Sequence, residues 1–227
     1  MTELLEAIEL ETGKNPTTSV IWLHGLGADG HDFEAIVPEL DLPAVPIRFV
    51  FPHAPMQPVT INAGMVMRAW YDVSDAALRR EDETGVRASQ ARLEALIARE
   101  NERGTSPNRL LLAGFSQGGA IALHTGLRYR ERLAGIMALS CYLPAGDTFA
   151  AEAHAANRDV PVFMAHGTLD PVVAIPRALQ SRDLLGREGY AVEWHEYPMP
   201  HSVCAEEIRD ISTWLRRVLA PARIPRQ

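Results

Sequence analysis

One serine of this sequence stands where its hydroxyl could become a nucleophile. Ser116 lies in the segment GFSQGG, which follows the apolar run LLLA and precedes the helix-forming run AIAL. This is a GxSxG motif between a predicted strand and a predicted helix, the context of a strained turn that presents a serine at a helix N-terminus. Glycines are needed there because a Cβ two residues from the serine would collide with the neighbouring strand or helix. We therefore predict that Ser116 attacks a carbonyl carbon.

A nucleophilic serine needs a general base, and in proteins with this motif the order along the chain is Ser, then Asp or Glu, then His. Five histidines follow the serine: His124, His154, His166, His195 and His201. His124 falls within a predicted helix, His166 ends a strand before the best acid, and His195 lies in the middle of an alternating strand. His201 instead lies on the loop that leaves the last predicted strand. We predict that His201 is the base.

The predicted acid is Asp170, which follows the strand Val160–Ala165 after a glycine turn. Its carboxylate would accept the Nδ1 proton of His201, which fixes the tautomer of the ring and stabilises the imidazolium. The alternative is that Asp170 only begins an Asp-Pro turn. Three other acids are poorer candidates, because they lie in a loop, directly before a strand and within a helix: Asp147, Asp159 and Asp183.

Two turns could supply backbone N–H groups for the negative charge that develops on the carbonyl oxygen. The segment HGLG, residues 24–27, follows the first apolar strand, and Gln117 begins the helix after the serine. We assign the two oxyanion donors to the N–H groups of Leu26 and Gln117, because backbone donors need no reorganisation when charge appears. The alternative for residues 24–27 is a simple glycine-rich turn.

The elements that must position these groups alternate along the chain. Apolar runs predict six strands: Ser19–Leu23, Ile47–Phe51, Arg109–Ala113, Leu133–Leu139, Val160–Ala165 and Ala191–Tyr197. Between them lie five helical patterns: Asp32–Leu40, Val86–Arg103, Gln117–Arg130, Ile175–Glu188 and Cys204–Leu219. Continuously apolar strands separated by helices predict an α/β protein with a mostly parallel central sheet and helices on both faces. In such sheets the reactive groups collect at the carboxyl ends of the strands.

Two segments, Pro52–Tyr71 and Cys141–Asp159, show no periodicity and are interpreted as loops over the strand ends, where pockets are usually built. An apolar acyl site could be lined by five side chains of the first segment: Met65, Val66, Met67, Trp70 and Tyr71. The alternative is that these side chains only pack the loop onto the body of the protein.

Composition limits the classes of protein. The length of 227 residues predicts one domain over residues 1–227, and 47% hydrophobic with 22% charged residues argues against disorder. A net charge of −7 with scattered arginines argues against a nucleic-acid partner. Acidic residues at the N-terminus and the lack of a long apolar run predict a cytoplasmic protein with neither signal peptide nor membrane span. Cys141 and Cys204 are expected to be reduced, buried thiols.

Together these segments resemble the bacterial carboxylesterase and acyl-protein thioesterase family, also described as phospholipase/carboxylesterases. The matching segments are residues 21–29, 48–50, 58–62, 70–72 and 114–120, residues 166–167 with Asp170 and residues 172–173, and residues 197–199 before His201. The resemblance implies an α/β-hydrolase fold, the same triad of Ser116, Asp170 and His201, and oxyanion donors at Leu26 and Gln117. It also implies an acyl groove near residues 61–71, and a mechanism that needs no metal or cofactor.

Two positions depart from the family pattern. Pro200 stands where the family commonly has glycine before the catalytic histidine, and proline fixes φ and lacks an N–H. Before Trp70 the chain reads Met-Arg-Ala where the family often has Met-Pro-Ser, so Arg68 could reshape the groove or add a charge at its mouth.

These observations predict an esterase that works through an acyl-enzyme, with short or medium acyl esters as first choice. The alternatives within the same chemistry are fatty-acyl thioesters, including acylated proteins, and lysophospholipids. The alternative from another class is a hydrolase-fold binding protein without activity. A zinc site is disfavoured because His195 and His201 lack the helical spacing and the nearby cysteine or glutamate ligands that zinc needs. Monomer and homodimer both stay open.

Overall fold

The computed structural model describes residues 4–75 and 81–220, which form nine strands and five α-helices. The strands are β1 (Ala7–Glu11), β2 (Thr18–Leu23), β3 (Ile47–Pro52), β4 (Met56–Val59), β5 (Met65–Arg68), β6 (Leu110–Phe115), β7 (Gly135–Leu139), β8 (Val162–Gly167) and β9 (Val192–Tyr197). The α-helices are α1 (Glu83–Glu102), α2 (Gln117–Arg128), α3 (Gly146–Glu152), α4 (Ile175–Arg187) and α5 (Ala205–Val218).

Seven of the strands form the central sheet, in the order β1-β3-β2-β6-β7-β8-β9. All neighbouring pairs are parallel except β1 and β3, which are antiparallel. The predicted α/β class with a mostly parallel sheet is confirmed, and the six predicted strands are all present with ends shifted by no more than two residues. The carboxyl ends of the six parallel strands therefore meet at one edge of the sheet.

The core explains why the strands read as unbroken apolar runs. Along β2, Val20 and Trp22 point to one face of the sheet, while Ile21 and Leu23 point to the other, and all four are buried. Helices α1, α2 and α4 cover one face, and α5 covers the other. Because both faces are removed from water, both sets of alternating side chains are apolar. This packing makes the central strands a rigid platform for the turns that follow them.

Four of the five predicted helices are present, with ends shifted by at most three residues. The fifth differs in type: residues 32–40 contain only a 3-10 helix, Glu34–Glu39, in place of an amphipathic α-helix. Pro38 lies inside this segment and has no N–H to donate, which works against a continuous α-helix. In residues 4–75 and 81–220, no helix combines the length and the apolar character needed to cross a bilayer.

The two segments interpreted as loops contain structure that the sequence analysis did not predict. Within Pro52–Tyr71, strands β4 and β5 form an antiparallel hairpin, and within Cys141–Asp159 lies the short helix α3. The edge strand β1 was also not predicted. The hairpin is a two-stranded sheet separate from the central one, and Met65 and Val66 are 64% and 58% exposed. An element that buries little surface carries no strong apolar pattern, which is why the segment reads as a loop.

Candidate active site

Ser116 occupies a strained turn between β6 and α2. Its backbone has φ 56° and ψ −122°, a conformation that L-residues rarely adopt, and its N–H donates to the carbonyl of Leu139 at 2.9 Å. A Cβ at Gly114 would collide with the backbone of Gly118, and a Cβ at Gly118 would collide with the carbonyl of Leu23 at the end of β2. The motif therefore needs both glycines because strand and helix approach too closely for any side chain.

The three residues predicted to act together are joined by hydrogen bonds. Nε2 of His201 lies 2.9 Å from Oγ of Ser116, and Nδ1 of His201 lies 2.6 Å from Oδ2 of Asp170. The carboxylate is fully buried, and the imidazole is 15% exposed. These distances suit transfer of the serine proton to a neutral imidazole whose Nδ1–H is held by a carboxylate.

The loop after β8 holds the carboxylate of Asp170 in place. Its Oδ1 accepts hydrogen bonds from the N–H groups of Val172 and Val173, at 2.8 and 2.9 Å. The buried His166 donates from Nε2 to the carbonyl of Val173 at 2.8 Å, and the same nitrogen lies 3.4 Å from Oδ2 of Asp170. Asp170 thus caps its own turn through one oxygen while the other faces His201. The turn role weighed above and the acid role therefore use different oxygens.

Pro200 does not prevent the histidine loop from reaching the serine. The carbonyl of Pro200 accepts the N–H of Ser202 at 2.9 Å, and the carbonyl of Met199 accepts the N–H of Leu169 at 3.2 Å. A Cβ on Gly167 would collide with the carbonyl of Met199, so the end of β8 and this loop pack backbone to backbone. The loop therefore follows a path that needs no N–H at residue 200.

A buried acid lies just beyond the histidine loop, in the first turn of α5. Glu207 is fully buried, and among the described residues neither of its carboxylate oxygens has a hydrogen-bond partner. Burial raises the pKa of this carboxyl from its ordinary value of 4.5 to about 8. The folded protein therefore holds a proton that the unfolded chain releases, so this group's contribution to folding stability declines as the pH rises from about 4.5 through about 8.

We expect the Glu207→Gln variant, which stays neutral at every pH, to lose less thermal stability between about pH 5 and about pH 9 than the unmodified protein does. Melting temperatures measured across that range check this, with Glu206→Gln as the matched control because Glu206 is exposed on the same helical turn. Parallel curves for the unmodified protein and Glu207→Gln would show that the buried carboxyl does not titrate as its environment requires.

The predicted oxyanion donors border the same cavity as the serine. Leu26 and Gln117 both line it together with Ser116. The side chain of Gln117 is engaged elsewhere: its Oε1 accepts the N–H of Trp70 at 3.0 Å, and its Nε2 donates to the carbonyl of Tyr71 at 2.9 Å. Gln117, the first residue of α2, thus also holds the segment at residues 70–71, which forms one side of the cavity.

His24 holds the peptide that carries the Leu26 N–H, a role that the sequence analysis did not assign. Its Nε2 accepts the N–H of Ala54 at 3.0 Å, so the neutral ring carries its proton on Nδ1, which lies 2.7 Å from the carbonyl oxygen of Gly25. Burial lowers the pKa of His24 to about 4, which keeps the ring neutral. In a trans peptide the C=O and N–H point in opposite directions, so fixing the Gly25 carbonyl also aims the N–H of Leu26. The sequence feature that could have indicated this role was the position of His24, directly before Gly25 and just after β2.

We expect His24→Ala to lower kcat by roughly ten- to a hundredfold with little change in KM. The loss is smaller than the roughly hundred- to thousandfold cost of removing an oxyanion donor, because the donor remains and only its orientation is loosened. Steady-state kinetics check the prediction, and His24→Asn, whose amide could still donate to Gly25, is expected to retain part of the rate. An increase in KM at unchanged kcat would contradict it, because it would place the effect in ground-state binding.

An apolar cavity of about 250 Å³ opens beside Ser116. Its apolar lining comes from four separate parts of the chain and includes Leu26, Ile61, Tyr71, Val73, Tyr142, Val172 and Val173. Its walls therefore combine the turn after β2, the segment around β4 and β5, the loop after β7, and the loop after Asp170. A cavity of this kind suits the hydrocarbon part of an acyl group.

Of the five side chains predicted to line an acyl site, only Tyr71 borders this cavity. Met65 and Val66 are exposed on the hairpin, and Met67 lies on the same strand, β5. Trp70 is buried, and its Nε1 donates to the carbonyl of His24 at 2.8 Å, so it supports the turn at residues 24–27 instead. The lining residues Tyr142 and Val172 were missed, and their positions just after β7 and just after Asp170 were the available signal.

The remaining residues singled out above lie in other surroundings. Arg68 donates to the carbonyl of Ala54 at 2.9 Å, which places its guanidinium beside the short connection between β3 and β4. Nε2 of His195 lies 3.3 Å from Oε1 of Glu193, and its Nδ1 lies 3.4 Å from Oδ2 of Asp210. Both cysteines are free thiols: the predicted burial is found for Cys141, whereas Cys204 is partly exposed.

Comparison with known proteins gives a consistent result across sequence and structure. A family model described as Phospholipase/Carboxylesterase matches residues 6–219. Acyl-protein thioesterase 1 of Neurospora crassa is 42% identical over 214 residues, covering 88% of this chain and 86% of that protein, and the protein of the same name from Gibberella zeae is 39% identical over 220 residues, covering 90% and 92%. The crystal structure of Arabidopsis thaliana SOBER1 superposes with a TM-score of 0.84 at 32% identity, covering 89% of this chain and 99% of that one.

Proposed function

Because this chain belongs to the phospholipase/carboxylesterase family of α/β-hydrolases, we propose that it is a serine hydrolase that cleaves acyl thioesters, with acylated proteins among its substrates. The observation that carries the proposal is the hydrogen-bonded chain from Ser116 through His201 to Asp170 beside an apolar cavity. A hydroxyl, a base and an oriented carboxylate are what acyl transfer needs, and the cavity can hold the acyl chain.

The proposed reaction proceeds in two acyl transfers. His201 Nε2 takes the proton of Ser116 as Oγ attacks the carbonyl carbon, and the resulting oxyanion accepts hydrogen bonds from the N–H groups of Leu26 and Gln117. The carbon–sulfur bond then breaks, and His201 gives its proton to the departing thiolate. Water then gives a proton to the same imidazole as it attacks the acyl-enzyme carbonyl. The bond between Oγ and the acyl carbon breaks, and the imidazolium returns the proton to Oγ, which releases the carboxylic acid and the free serine. Throughout, Asp170 stabilises the transient imidazolium.

The choice of thioesters is supported by the curated relatives at about 40% identity, which are named acyl-protein thioesterases. The same machinery can also attack an oxygen ester, because the nucleophile and the oxyanion donors contact the carbonyl and not the leaving atom. Cleavage of short or medium carboxylic esters, favoured above from the sequence, is therefore the second candidate function. It is supported by the modest volume of the cavity.

The two candidates are separated by substrates that differ only in the cleaved bond. We expect kcat/KM to be higher for an octanoyl thioester of N-acetylcysteamine than for the matching octanoyl ester of N-acetylethanolamine. An S-octanoyl-cysteine peptide should be cleaved as well, and the Ser116→Ala variant is the control for background hydrolysis. A higher kcat/KM on the oxygen ester by an order of magnitude would support the carboxylesterase function instead.

A different measurement distinguishes the proposed hydrolase from an inactive hydrolase-fold binding protein. We expect a fluorophosphonate probe to label the protein at Ser116, because the probe reacts only with a serine activated by its base. Absence of labelling in the folded protein would argue for the binding function.

A further inference from the structure

Tyr142 separates two cavities of this protein. Its side chain lines the 250 Å³ cavity beside Ser116 and also lines a second cleft of about 480 Å³. The second cleft is bordered by the loop before α3 and by α4, with Leu143, Thr148, Ser181 and Leu184 among its lining residues. Ser116 does not border this outer cleft. Tyr142 is the residue that the linings of the two cavities share.

The ring of Tyr142 is held from both sides. Its hydroxyl lies 3.2 Å from the hydroxyl of Tyr71, which also lines the inner cavity. On the outer side, the guanidinium of Arg177 lies 4.0 Å from the centre of the ring and donates to Glu81 at 2.6 Å. Only 4% of Tyr142 is exposed. A buried side chain held at its hydroxyl by Tyr71 and over one ring face by Arg177 has little freedom to swing aside, so it forms a fixed wall.

We propose that Tyr142 is the end wall of the acyl cavity and sets the longest acyl chain that this protein binds in full. The inference rests on the proposed function and specifies its substrate class. A methylene group occupies about as much room as a water molecule, on the order of 30 Å³, so the inner cavity holds on the order of eight carbons. Medium-chain acyl groups fit within it, and the end of a longer chain must stay outside.

The test is a chain-length profile, kcat/KM on 4-nitrophenyl butanoate, octanoate and dodecanoate. For the unmodified protein, kcat/KM should increase from butanoate to octanoate and gain nothing further with dodecanoate. For Tyr142→Ala, which joins the two spaces, the dodecanoate-to-octanoate ratio should increase by about tenfold or more, since each methylene removed from water contributes roughly fourfold. Tyr142→Trp, with a larger ring, should lower the octanoate-to-butanoate ratio.

Two variants serve as matched controls. Tyr142→Phe keeps the ring and its contact with Arg177 and removes only the hydroxyl, and Gln180→Ala changes the outer cleft without touching Tyr142 or the inner cavity. Both should keep the profile of the unmodified protein. If Tyr142→Phe changes the dodecanoate-to-octanoate ratio as much as Tyr142→Ala does, the ring of Tyr142 is not the end wall. The selectivity would then depend on the hydrogen bond between the hydroxyls of Tyr71 and Tyr142.

The wall and the proposed function fail in different ways. If Tyr142→Ala folds, hydrolyses butanoate and keeps the original chain-length ratios, the wall is overturned while the hydrolase activity stands. If Tyr142→Ala does not fold, unchanged ratios in both Tyr142→Leu and Tyr142→Trp overturn it equally. If the unmodified protein hydrolyses none of the esters or thioesters and is not labelled by a fluorophosphonate, the proposed function is wrong. The role of Tyr142 in limiting the acyl chain is then wrong as well, because it rests on that function.

Discussion

Ser116→Ala is expected to lower kcat by roughly 10⁴- to 10⁶-fold, the range found when the nucleophile of a serine hydrolase is removed. The reason is that in the proposed reaction Oγ forms the covalent bond to the acyl group, and no other hydroxyl is placed at hydrogen-bond distance from Nε2 of His201 within the described structure. The rate that remains would come from the oxyanion donors and from substrate binding. Steady-state hydrolysis of an octanoyl thioester, together with fluorophosphonate labelling, measures the effect.

The same substitution should leave the fold intact, which makes the kinetic result interpretable. The serine side chain does not cap α2, and alanine meets the same backbone strain at this positive φ as serine does. We therefore expect the free energy of unfolding to change by no more than about 1.5 kcal/mol, the loss of one hydrogen bond. Residual activity above about one per cent in a well-folded variant would show that another group is the nucleophile.

Asp170→Asn is expected to lower kcat by about 10³- to 10⁴-fold while the loop keeps its shape. The carbonyl oxygen of the new amide can still accept the N–H groups of Val172 and Val173, as Oδ1 does now. The amide nitrogen would then face Nδ1 of His201, where a carboxylate oxygen lies at 2.6 Å. A donor at that place favours the tautomer with its proton on Nε2, which can no longer accept the proton of Ser116.

The control for this variant is Asp183→Asn, because Asp183 is an exposed acid on α4 that pairs only with its neighbour Arg182 in the described structure. Its kinetics should match those of the unmodified protein. Raising the pH should not restore Asp170→Asn within the range where the protein is folded, since the defect is the tautomer and not the charge of the ring. If kcat of Asp170→Asn equals that of the unmodified protein, the carboxylate has no role in the mechanism and serves only to hold the turn after β8.

The residues of the hydrogen-bonded chain could be chosen from the sequence because each follows a strand of the same parallel sheet. Ser116 follows β6, Asp170 follows β8, and His201 follows β9. Parallel strands place their carboxyl ends at one edge, so residues just after them come close although they are far apart in sequence. Their catalytic roles remain predictions that the two variants above test.

The acyl cavity could not be chosen in the same way. Trp70 and Tyr71 are adjacent aromatic residues, yet one ring supports the carbonyl of His24 and the other lines the cavity. Both are buried, so neither polarity nor periodicity distinguishes them. Tyr142 is brought to the same cavity from the loop after β7, a distant part of the chain. Which apolar side chain lines the cavity depends on how the loops at the carboxyl ends of the strands pack against one another. The hydrophobic pattern of one loop does not contain that information.

The sequence by itself determined the α/β class, the six parallel strands and the strained serine turn, because these depend on local backbone chemistry and on which side chains avoid water. Only the tertiary structure decided that His24 holds the Gly25–Leu26 peptide, that residues 56–68 form a hairpin, and that Tyr142 lines the cavity. These features depend on contacts between segments far apart in the chain. A pattern along one segment reports how much of it is buried, and the partner that buries it is selected only when the loops pack together.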